Sequence, residues 1–154
     1  MKSAKQQLEQ LRREAYKAKH GKEVHRFFES EMKVKSPRTA AQLESLICEY
    51  IELSGGVCTK VTTSGRRIVN KTPVKDVTGR QRTLIEDKWV PGTTTPGTSD
   101  LIASIPGVKG AVYIEVKMPG DRMRETQVKF QQKVVARGFK YMIAESLEDV
   151  VDLI

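Results

Sequence analysis

The chain has 154 residues, and its 27 Lys and Arg against 19 Asp and Glu give a formal net charge of +8. This length predicts one domain with its own core, and the positive charge favours a nucleic acid as partner. The sequence shows no long apolar stretch and no signal peptide, so we expect a cytoplasmic protein with no membrane partner.

Residues 1–38 are predicted to form a basic helical extension. They hold eleven Lys and Arg against five Glu, which is six of the eight net positive charges. Ser36-Pro37 marks the boundary with the body of the chain. The extension is expected either to bind DNA phosphates or to join two copies in a homodimer, with its apolar residues packed on its own body or on a second subunit. A solvated helix with little function is the remaining alternative. These apolar residues recur at near-heptad spacing, at Leu8, Leu11, Ala15 and Ala18.

Residues 39–54 are predicted to form an amphipathic helix. At about 100° per residue, Glu44 falls at the edge of its apolar face, whereas Glu49 and Glu52 point away. Glu44 is therefore the acidic residue of this helix that we expect to reach a site in the body, and an ordinary surface charge is the alternative. The apolar face comprises Leu43, Leu46, Ile47, Tyr50 and Ile51.

A basic hairpin insertion is predicted over residues 64–95. The turn signal Thr78-Gly79 lies between strand-like runs at residues 67–69 and 82–85, and residues 61–63 predict a further strand before them. We interpret the insertion as a flap that faces DNA, with a plain surface hairpin as the alternative. Its candidate DNA-binding residues are Arg66, Arg67, Lys71, Arg80 and Arg82.

The most informative segment lies between residues 97 and 117. Residues 111–117 alternate apolar and polar side chains, which predicts a strand with Glu115 and Lys117 on one face. Residues 101–105 form a second apolar run, and Pro106-Gly107 predicts the turn between the two. Antiparallel pairing of these runs would bring Asp100 close to Glu115 and Lys117.

This arrangement predicts a divalent metal site with a cation beside it. Two carboxylates so close repel each other unless a cation lies between them. Mg²⁺ is the hard ion that suits Asp100 and Glu115, and the cysteines and histidines lack the spacing of zinc ligands. Such a site in a basic chain favours a nuclease. The alternative is that Glu115 and Lys117 are only the solvated face of an amphipathic strand.

The C-terminal part predicts two helices and a strand. After Pro119-Gly120, Gln127 is in phase with Phe130 and Val134, so it should face inward and bind polar groups of the site. The alternative is a glutamine at the rim of that face, in contact with water. Residues 140–144 predict a strand, and residues 147–153 predict a last helix with Ser146 as its N-cap. The order of elements predicts an α/β domain with a mixed sheet flanked by helices.

The constellation resembles the PD-(D/E)XK nucleases and, within them, the VRR-NUC family found in phages and in DNA repair. The resemblance covers roughly residues 40–154, and the nuclease domain is assigned to residues 39–154. Ser99 departs from the family pattern, which usually has a proline there. The resemblance is carried by Thr98-Ser99-Asp100, by Ile114-Glu115-Val116-Lys117 with Met118-Pro119-Gly120, and by Gln127 ten residues beyond Lys117.

The resemblance implies a restriction-endonuclease-like fold and a role for each residue of the site. Asp100, Glu115 and the Val116 carbonyl would hold Mg²⁺ or Mn²⁺, with Glu44 completing the set. Lys117 would orient or activate the attacking water. Gln127 would support the site from the neighbouring helix.

The resemblance also implies a structure-specific endonuclease that acts on branched or flapped DNA. The expected setting is the cytoplasm of a bacterium or of a phage-infected host, and a homodimer would be able to resolve junctions. Two alternatives stay open. One is a non-catalytic DNA-binding or assembly protein that retains a nuclease scaffold, and the other is an RNA-binding module.

Overall fold

The computed structural model describes residues 2–62, 65–75, 77–90, 92 and 95–153. The chain divides into two units, Met1–Val61 with Gly97–Ile154 and the intervening Thr62–Pro96. In chain order the elements are α1 (Ala4–His20), a 3₁₀ turn (Arg26–Phe28), α2 (Glu29–Met32), α3 (Ala40–Leu53), β1 (Val57–Lys60), β2 (Arg66–Lys75), β3 (Gln81–Val90), β4 (Leu101–Ser104), β5 (Ala111–Val116), α4 (Glu125–Ala136), β6 (Lys140–Ala144) and α5 (Glu148–Val151). Within the described part of the chain, no helix has the length and apolar character needed to cross a membrane.

A mixed four-stranded sheet lies at the centre of the first unit, in the order β1-β4-β5-β6. β4 and β5 form the predicted antiparallel hairpin, with Leu101 opposite Ile114 and Ser104 opposite Ala111. The chain turns at Pro106-Gly107 between them. β6 runs parallel to β5. The predicted α/β architecture with a mixed sheet is therefore confirmed.

The first strand of this sheet lies just before residues 61–63, for which a strand of the basic hairpin was predicted and of which residue 63 is outside the described residues. β1 pairs along the whole of β4, from Val57 opposite Ser104 to Lys60 opposite Leu101. Val61 contributes one further hydrogen bond, from its N–H to the Asp100 carbonyl at 2.8 Å. Pairing with β4 thus determines the position of β1, and the local apolar pattern does not contain that information.

α3 covers the sheet with the apolar face that its sequence predicts. Thr39 caps the helix, since its side chain accepts a hydrogen bond from the Gln42 N–H. The buried residues of α3 belong to one hydrophobic cluster with residues of β4 and β5. Leu46, also predicted for this face, is partly buried against the cluster. The buried members from α3 are Leu43, Ile47, Tyr50 and Ile51.

The N-terminal extension packs on its own body. Ala4 and Leu8 of α1 are buried and belong to the same hydrophobic cluster as the apolar face of α3. The Tyr50 hydroxyl donates to Gln7 Oε1 at 3.1 Å. Arg12 Nε lies 2.7 Å from Glu49 Oε1. Of the predicted apolar residues, Leu8 and Leu11 are thus covered by their own chain, one of the two expected arrangements, whereas Ala15 and Ala18 are exposed.

The second unit is a two-stranded antiparallel hairpin. β2 and β3 pair from Arg66 opposite Val90 to Lys75 opposite Gln81, so both strands are longer than the sequence predicts. Gly79 supplies the positive φ of 79° at the predicted turn. Almost all side chains of β3 are exposed.

The C-terminal elements follow the predicted order, with one difference at the last helix. α4 ends before Gly138, and β6 spans the predicted residues. α5 covers only Glu148–Val151 and has Leu147, not Ser146, at its N-cap position. The Ser146 hydroxyl instead donates to Asp149 Oδ2 at 3.0 Å. One carboxylate therefore receives the hydrogen bonds of the approaching loop, and the serine side chain does not cap the helix.

Candidate active site

Asp100 lies directly before β4, level with Glu115 on β5. Leu101 pairs with Ile114 in the antiparallel register. This register brings Asp100 level with Glu115. Asp100 Oδ2 accepts a hydrogen bond from the Val116 N–H at 2.9 Å. The strand that carries Glu115 therefore also orients the Asp100 carboxylate.

Glu115 is the buried centre of a hydrogen-bond network. Its side chain is 1% exposed, so this residue does not lie on a solvated strand face. Glu115 Oε1 accepts hydrogen bonds from Lys117 Nζ at 2.8 Å and from Gln127 Nε2. Lys117 Nζ also donates to Gln127 Oε1 at 3.2 Å, and the Tyr141 hydroxyl lies 3.5 Å from Glu115 Oε2. The carboxylate is thereby held by groups from β5, α4 and β6.

The electrostatics of Glu115 depend on burial and on both charged neighbours. Burial raises the pKa of its carboxyl above the ordinary value, the hydrogen bond from Lys117 lowers it, and the charge of Asp100 raises it again. The pKa of the Tyr141 hydroxyl is also raised, first by burial and then by the charges of Glu115 and Asp100. The contribution of Asp100 to the pKa of Glu115 reflects how close the two carboxylates are. A bound cation would relieve their repulsion.

Gln127 fixes the start of α4 to this network. Its Oε1 accepts a hydrogen bond from the Arg124 N–H at 2.9 Å, at the point where the helix begins. The same side-chain amide binds Lys117 and Glu115. Gln127 therefore faces the site and holds the ammonium and the carboxylate in a fixed relative position.

The loop before Asp100 approaches the first turn of α4 closely. Gly97 has a φ of 80°, and a Cβ at this position would overlap the Thr126 carbonyl. A residue with a side chain would be strained there, which explains the glycine. Ser99, at the position where a proline was expected, is buried, and its hydroxyl donates to the Leu101 carbonyl at 3.1 Å. This hydrogen bond fixes the chain on both sides of Asp100.

Glu44 has a different partner from the other acidic residues. Its Oε2 lies 3.6 Å from Lys60 Nζ, and Lys60 also donates to Ser45 Oγ at 2.8 Å. Among the described residues, no group of three His, Cys, Asp or Glu side chains is arranged to hold a metal ion. The structure thus brings Asp100 and Glu115 together and leaves Glu44 paired with a lysine of β1.

The candidate DNA-binding residues belong to the second unit. Arg67 forms an ion pair with Asp87 on the facing strand, which raises the pKa of the guanidinium. Lys71, Arg80 and Arg82 are exposed. The side chain of Arg66 lies outside the described part of the structure. Since Asp87 offsets the charge of Arg67, this arginine contributes less free positive charge than the sequence suggests.

The donor atoms of the site fit a hard divalent cation. The Asp100 and Glu115 carboxylates and the Val116 carbonyl are all oxygen donors, the type that Mg²⁺ and Mn²⁺ prefer. Neither His nor Cys takes part in the described hydrogen bonds of these groups. Lys117 neutralises one of the two negative charges. A divalent ion would compensate the other and leave positive charge for a phosphate.

Tyr141 is a site residue that the sequence did not reveal. It lies on β6, where it is opposite Tyr113 in the parallel register with β5. The side chains of residues 113, 115 and 117 point to the same side of β5, so a neighbouring residue of β6 can reach Glu115. The sequence predicted the strand at residues 140–144, but only its register with β5 shows that Tyr141 lies near Glu115.

Comparison with known proteins agrees with this geometry. The VRR-NUC domain matches residues 38–147, a range that contains every residue of the site described above. No curated protein and no solved structure matches the chain. A VRR-NUC domain indicates a nuclease-type function in DNA processing. Because the match covers more than half of the chain, the protein belongs to the VRR-NUC family of PD-(D/E)XK nucleases.

Proposed function

We propose that the protein is a Mg²⁺- or Mn²⁺-dependent deoxyribonuclease that hydrolyses phosphodiester bonds of DNA. The observation that carries this proposal is the buried Glu115 carboxylate, which is bound by Lys117 and Gln127 and lies beside Asp100. A buried carboxylate with a second carboxylate beside it is costly unless cations compensate their charges.

The residues of the site have separate roles in the proposed reaction. Asp100, Glu115 and the Val116 carbonyl hold the cation, which supplies Lewis-acid charge at the scissile phosphate when bound. Lys117 orients or activates the attacking water through Nζ and offsets charge that develops on the phosphate oxygens. Gln127 keeps Lys117 in place, since its Oε1 accepts a hydrogen bond from Lys117 Nζ at 3.2 Å.

Glu44 is proposed as an outer member of the site. Its Oε2 lies 3.6 Å from Lys60 Nζ, which partly compensates its charge, and the proposed role is to accept a hydrogen bond from a water of the site. This role differs from direct ligation of the cation. Loss of Glu44 should therefore weaken cleavage less than loss of Asp100 or Glu115.

The preferred substrate is proposed from the family. We propose a structure-specific endonuclease that acts on branched or flapped DNA, with the exposed hairpin of β2 and β3 contacting the phosphate backbone. Cleavage of a four-way junction on both sides requires two active sites, and hence a homodimer. The proposed setting is the cytoplasm of a bacterium or of a phage-infected host.

The test is cleavage of linear, flapped and four-way DNA in the presence of Mg²⁺, Mn²⁺ or EDTA. We expect cutting only with a divalent ion. Asp100→Ala and Lys117→Ala should abolish cutting while DNA binding in EDTA is nearly unchanged. Lys109→Ala is the matched control, because Lys109 is exposed at the closed end of the β4–β5 hairpin. Metal-dependent cutting by either active-site variant would overturn the proposal.

Two further outcomes decide between the alternatives. DNA binding that weakens with salt, without cleavage in any metal, would favour a non-catalytic DNA-binding or assembly protein. Light scattering after size-exclusion chromatography gives the number of subunits. A monomer that cuts flaps but leaves four-way junctions intact would remove the homodimer and junction resolution from the proposal, and the nuclease assignment would stand.

A further inference from the structure

A groove of about 990 Å³ lies between the end of the N-terminal extension and α3. Lys33, Lys35 and Arg38 line it from the extension side, and Ser45 and Glu49 line it from α3. Lys33 and Lys35 precede the matched family domain, which begins at residue 38. The rim of this groove is therefore a feature that the extension adds to the nuclease domain.

The backbone before α3 explains why two lysines of the groove are exposed together. Met32 and Val34 are buried, while Lys33 and Lys35 are exposed. The Val34 N–H donates to Glu9 Oε1 at 2.9 Å, which attaches this stretch to α1. Alternation in an extended segment sends every second side chain to the opposite side. The apolar residues thus anchor the segment, and the lysines project outward.

The positive charges of the extension divide into compensated and free ones. Arg12 pairs with Glu49, Arg13 with Glu29, and Lys17 with Glu23. Within the described part of the chain, the three remaining groove cations have no ion pair, and Lys33 has only a longer-range attraction to Glu29. The unpaired positive charge of the extension therefore includes that of Lys33, Lys35 and Arg38.

The groove is connected to the candidate active site through β1. Ser45, which lines the groove, accepts a hydrogen bond from Lys60 Nζ at 2.8 Å. Lys60 pairs with Leu101, the residue that follows Asp100. A chain of contacts thus leads from the groove to the strand that carries Asp100. The two regions lie within the same unit of the structure.

We propose that this groove binds the phosphate backbone of the DNA that the active site cuts. This inference rests on the proposed function and names the surface that positions its substrate. The groove offers cations and polar side chains but no aromatic ring for stacking on a base, so we expect contacts with phosphates rather than stacked bases. The paired Arg12 and Glu49 also line it and together add no net charge.

The test compares two variants that lose the same charge. One is Lys33→Gln/Lys35→Gln/Arg38→Gln. The control is Lys109→Gln/Arg137→Gln/Lys140→Gln, which removes exposed cations from the closed end of the hairpin and the neighbouring elements. Binding of labelled flap DNA is measured in EDTA over a range of salt concentrations. All six side chains are exposed, so both variants should unfold at the temperature of the wild type.

We expect the groove variant to bind DNA roughly 10- to 100-fold more weakly at about 0.15 M salt, with a salt slope shallower by about 2–3. The control variant should lose much less of its affinity for DNA. Equal losses in both variants would show a general charge effect and overturn the inference. Cleavage by the groove variant should recover at low salt, because the catalytic groups are intact.

Lysine acetylation of the wild-type protein gives a second measurement. DNA should protect Lys33 and Lys35 but not Lys109 and Lys140. Inorganic phosphate at matched ionic strength should not protect them. If phosphate protects as well as DNA does, the groove is a small-anion site and DNA is the wrong occupant. If the protein never cuts but the groove variant still loses DNA binding, the nuclease proposal fails, and of this inference only the DNA-binding role of the groove stands.

Discussion

The Asp100 carboxylate accepts a hydrogen bond from the backbone N–H of Val116, with 2.9 Å between Oδ2 and N. This contact crosses the open end of the β4–β5 hairpin and links the two strands where their regular pairing ends. It occupies one lone pair of Oδ2. Asp100 is thus both a structural acceptor and a candidate ligand, and these two roles can be separated by substitution.

Asp100→Asn should separate the structural role of Asp100 from its role as a candidate ligand. The Asn side-chain oxygen can still accept the hydrogen bond from Val116, so the free energy of unfolding should change by less than about 1 kcal/mol. Cleavage should fall by about 10²- to 10³-fold, because the negative charge of the ligand is lost. Asp100→Ala leaves the Val116 N–H without its acceptor and should cost about 1–3 kcal/mol. Urea unfolding and cleavage assays on both variants measure the two effects. Equal loss of stability in both would contradict the structural role.

The ion pair of Glu115 and Lys117 predicts a non-additive effect on stability. Both side chains are largely withdrawn from water, with exposures of 1% and 12%. Lys117→Met leaves the Glu115 charge without its cation and should lower the free energy of unfolding by about 2–4 kcal/mol. Adding Glu115→Gln should restore part of that loss, because the buried charge is then removed as well.

Urea unfolding in the absence of divalent ions measures this cycle. Glu115→Gln alone completes the double-mutant cycle, which compares the wild type, the two single variants and the double variant. A double variant that is less stable than Lys117→Met would contradict the prediction, since it would mean that the uncompensated charge is not what destabilises the single variant.

Sequence patterns were sufficient for the parts of the site that depend on local chain geometry. Strand alternation placed Glu115 and Lys117 on one face, and a tight turn at residues 106–107 required Asp100 to return beside them. The burial of Glu115 was not accessible in this way. It depends on α4 and β6, which cover the face that alternation alone assigns to solvent.

The parts that were not predictable depend on how distant elements meet. Tyr141 reaches Glu115 only because β6 pairs with β5 in one particular parallel register. Glu44 meets Lys60 only because α3 packs over β1. The apolar spacing of the extension indicated a buried face, but it did not indicate which surface would cover that face. Such outcomes are decided by packing across the fold rather than by neighbouring residues.

Tyr141→Phe should reduce cleavage modestly. The hydroxyl lies 3.5 Å from Glu115 Oε2, at the long end of hydrogen-bond distances, so it contributes little to the position of the carboxylate. We expect a loss of less than about tenfold in kcat and a change in stability of less than about 1 kcal/mol. Steady-state cleavage kinetics with urea unfolding measure both. A loss as large as that of Asp100→Asn would mean that the hydroxyl contacts the substrate directly.

Cys48 and Cys58 should differ in reactivity with pH. Their sulfur atoms lie 2.9 Å apart. The hydrogen bond with Cys58 lowers the pKa of Cys48, with help from Lys60, whereas the same contact and burial raise the pKa of Cys58 well above its ordinary value. Since the thiolate is the reactive form, iodoacetamide at about pH 8 should modify Cys48 first. Peptide mass spectrometry during the reaction measures the order.

A Cys48→Ser variant tests the cause of this difference. The serine hydroxyl can donate to a Cys58 thiolate, and no neighbouring thiolate then opposes ionisation of Cys58. The pKa of Cys58 should therefore fall, and its alkylation at about pH 8 should become faster than in the wild type. An unchanged rate would mean that burial alone controls Cys58.

Leu8→Ala tests whether the extension is part of the folded core. Leu8 is fully buried and belongs to the same hydrophobic cluster as Leu43, Ile47 and Tyr50 of α3. Removing a fully buried leucine side chain should lower the free energy of unfolding by about 2–4 kcal/mol. Gln10→Ala changes an exposed residue of the same helix and should stay within about 0.5 kcal/mol of the wild type. Urea unfolding followed by circular dichroism should show one transition that shifts as a whole in Leu8→Ala. If instead a separate early transition shifts while the main one does not, α1 unfolds independently and the groove beside it has no fixed wall.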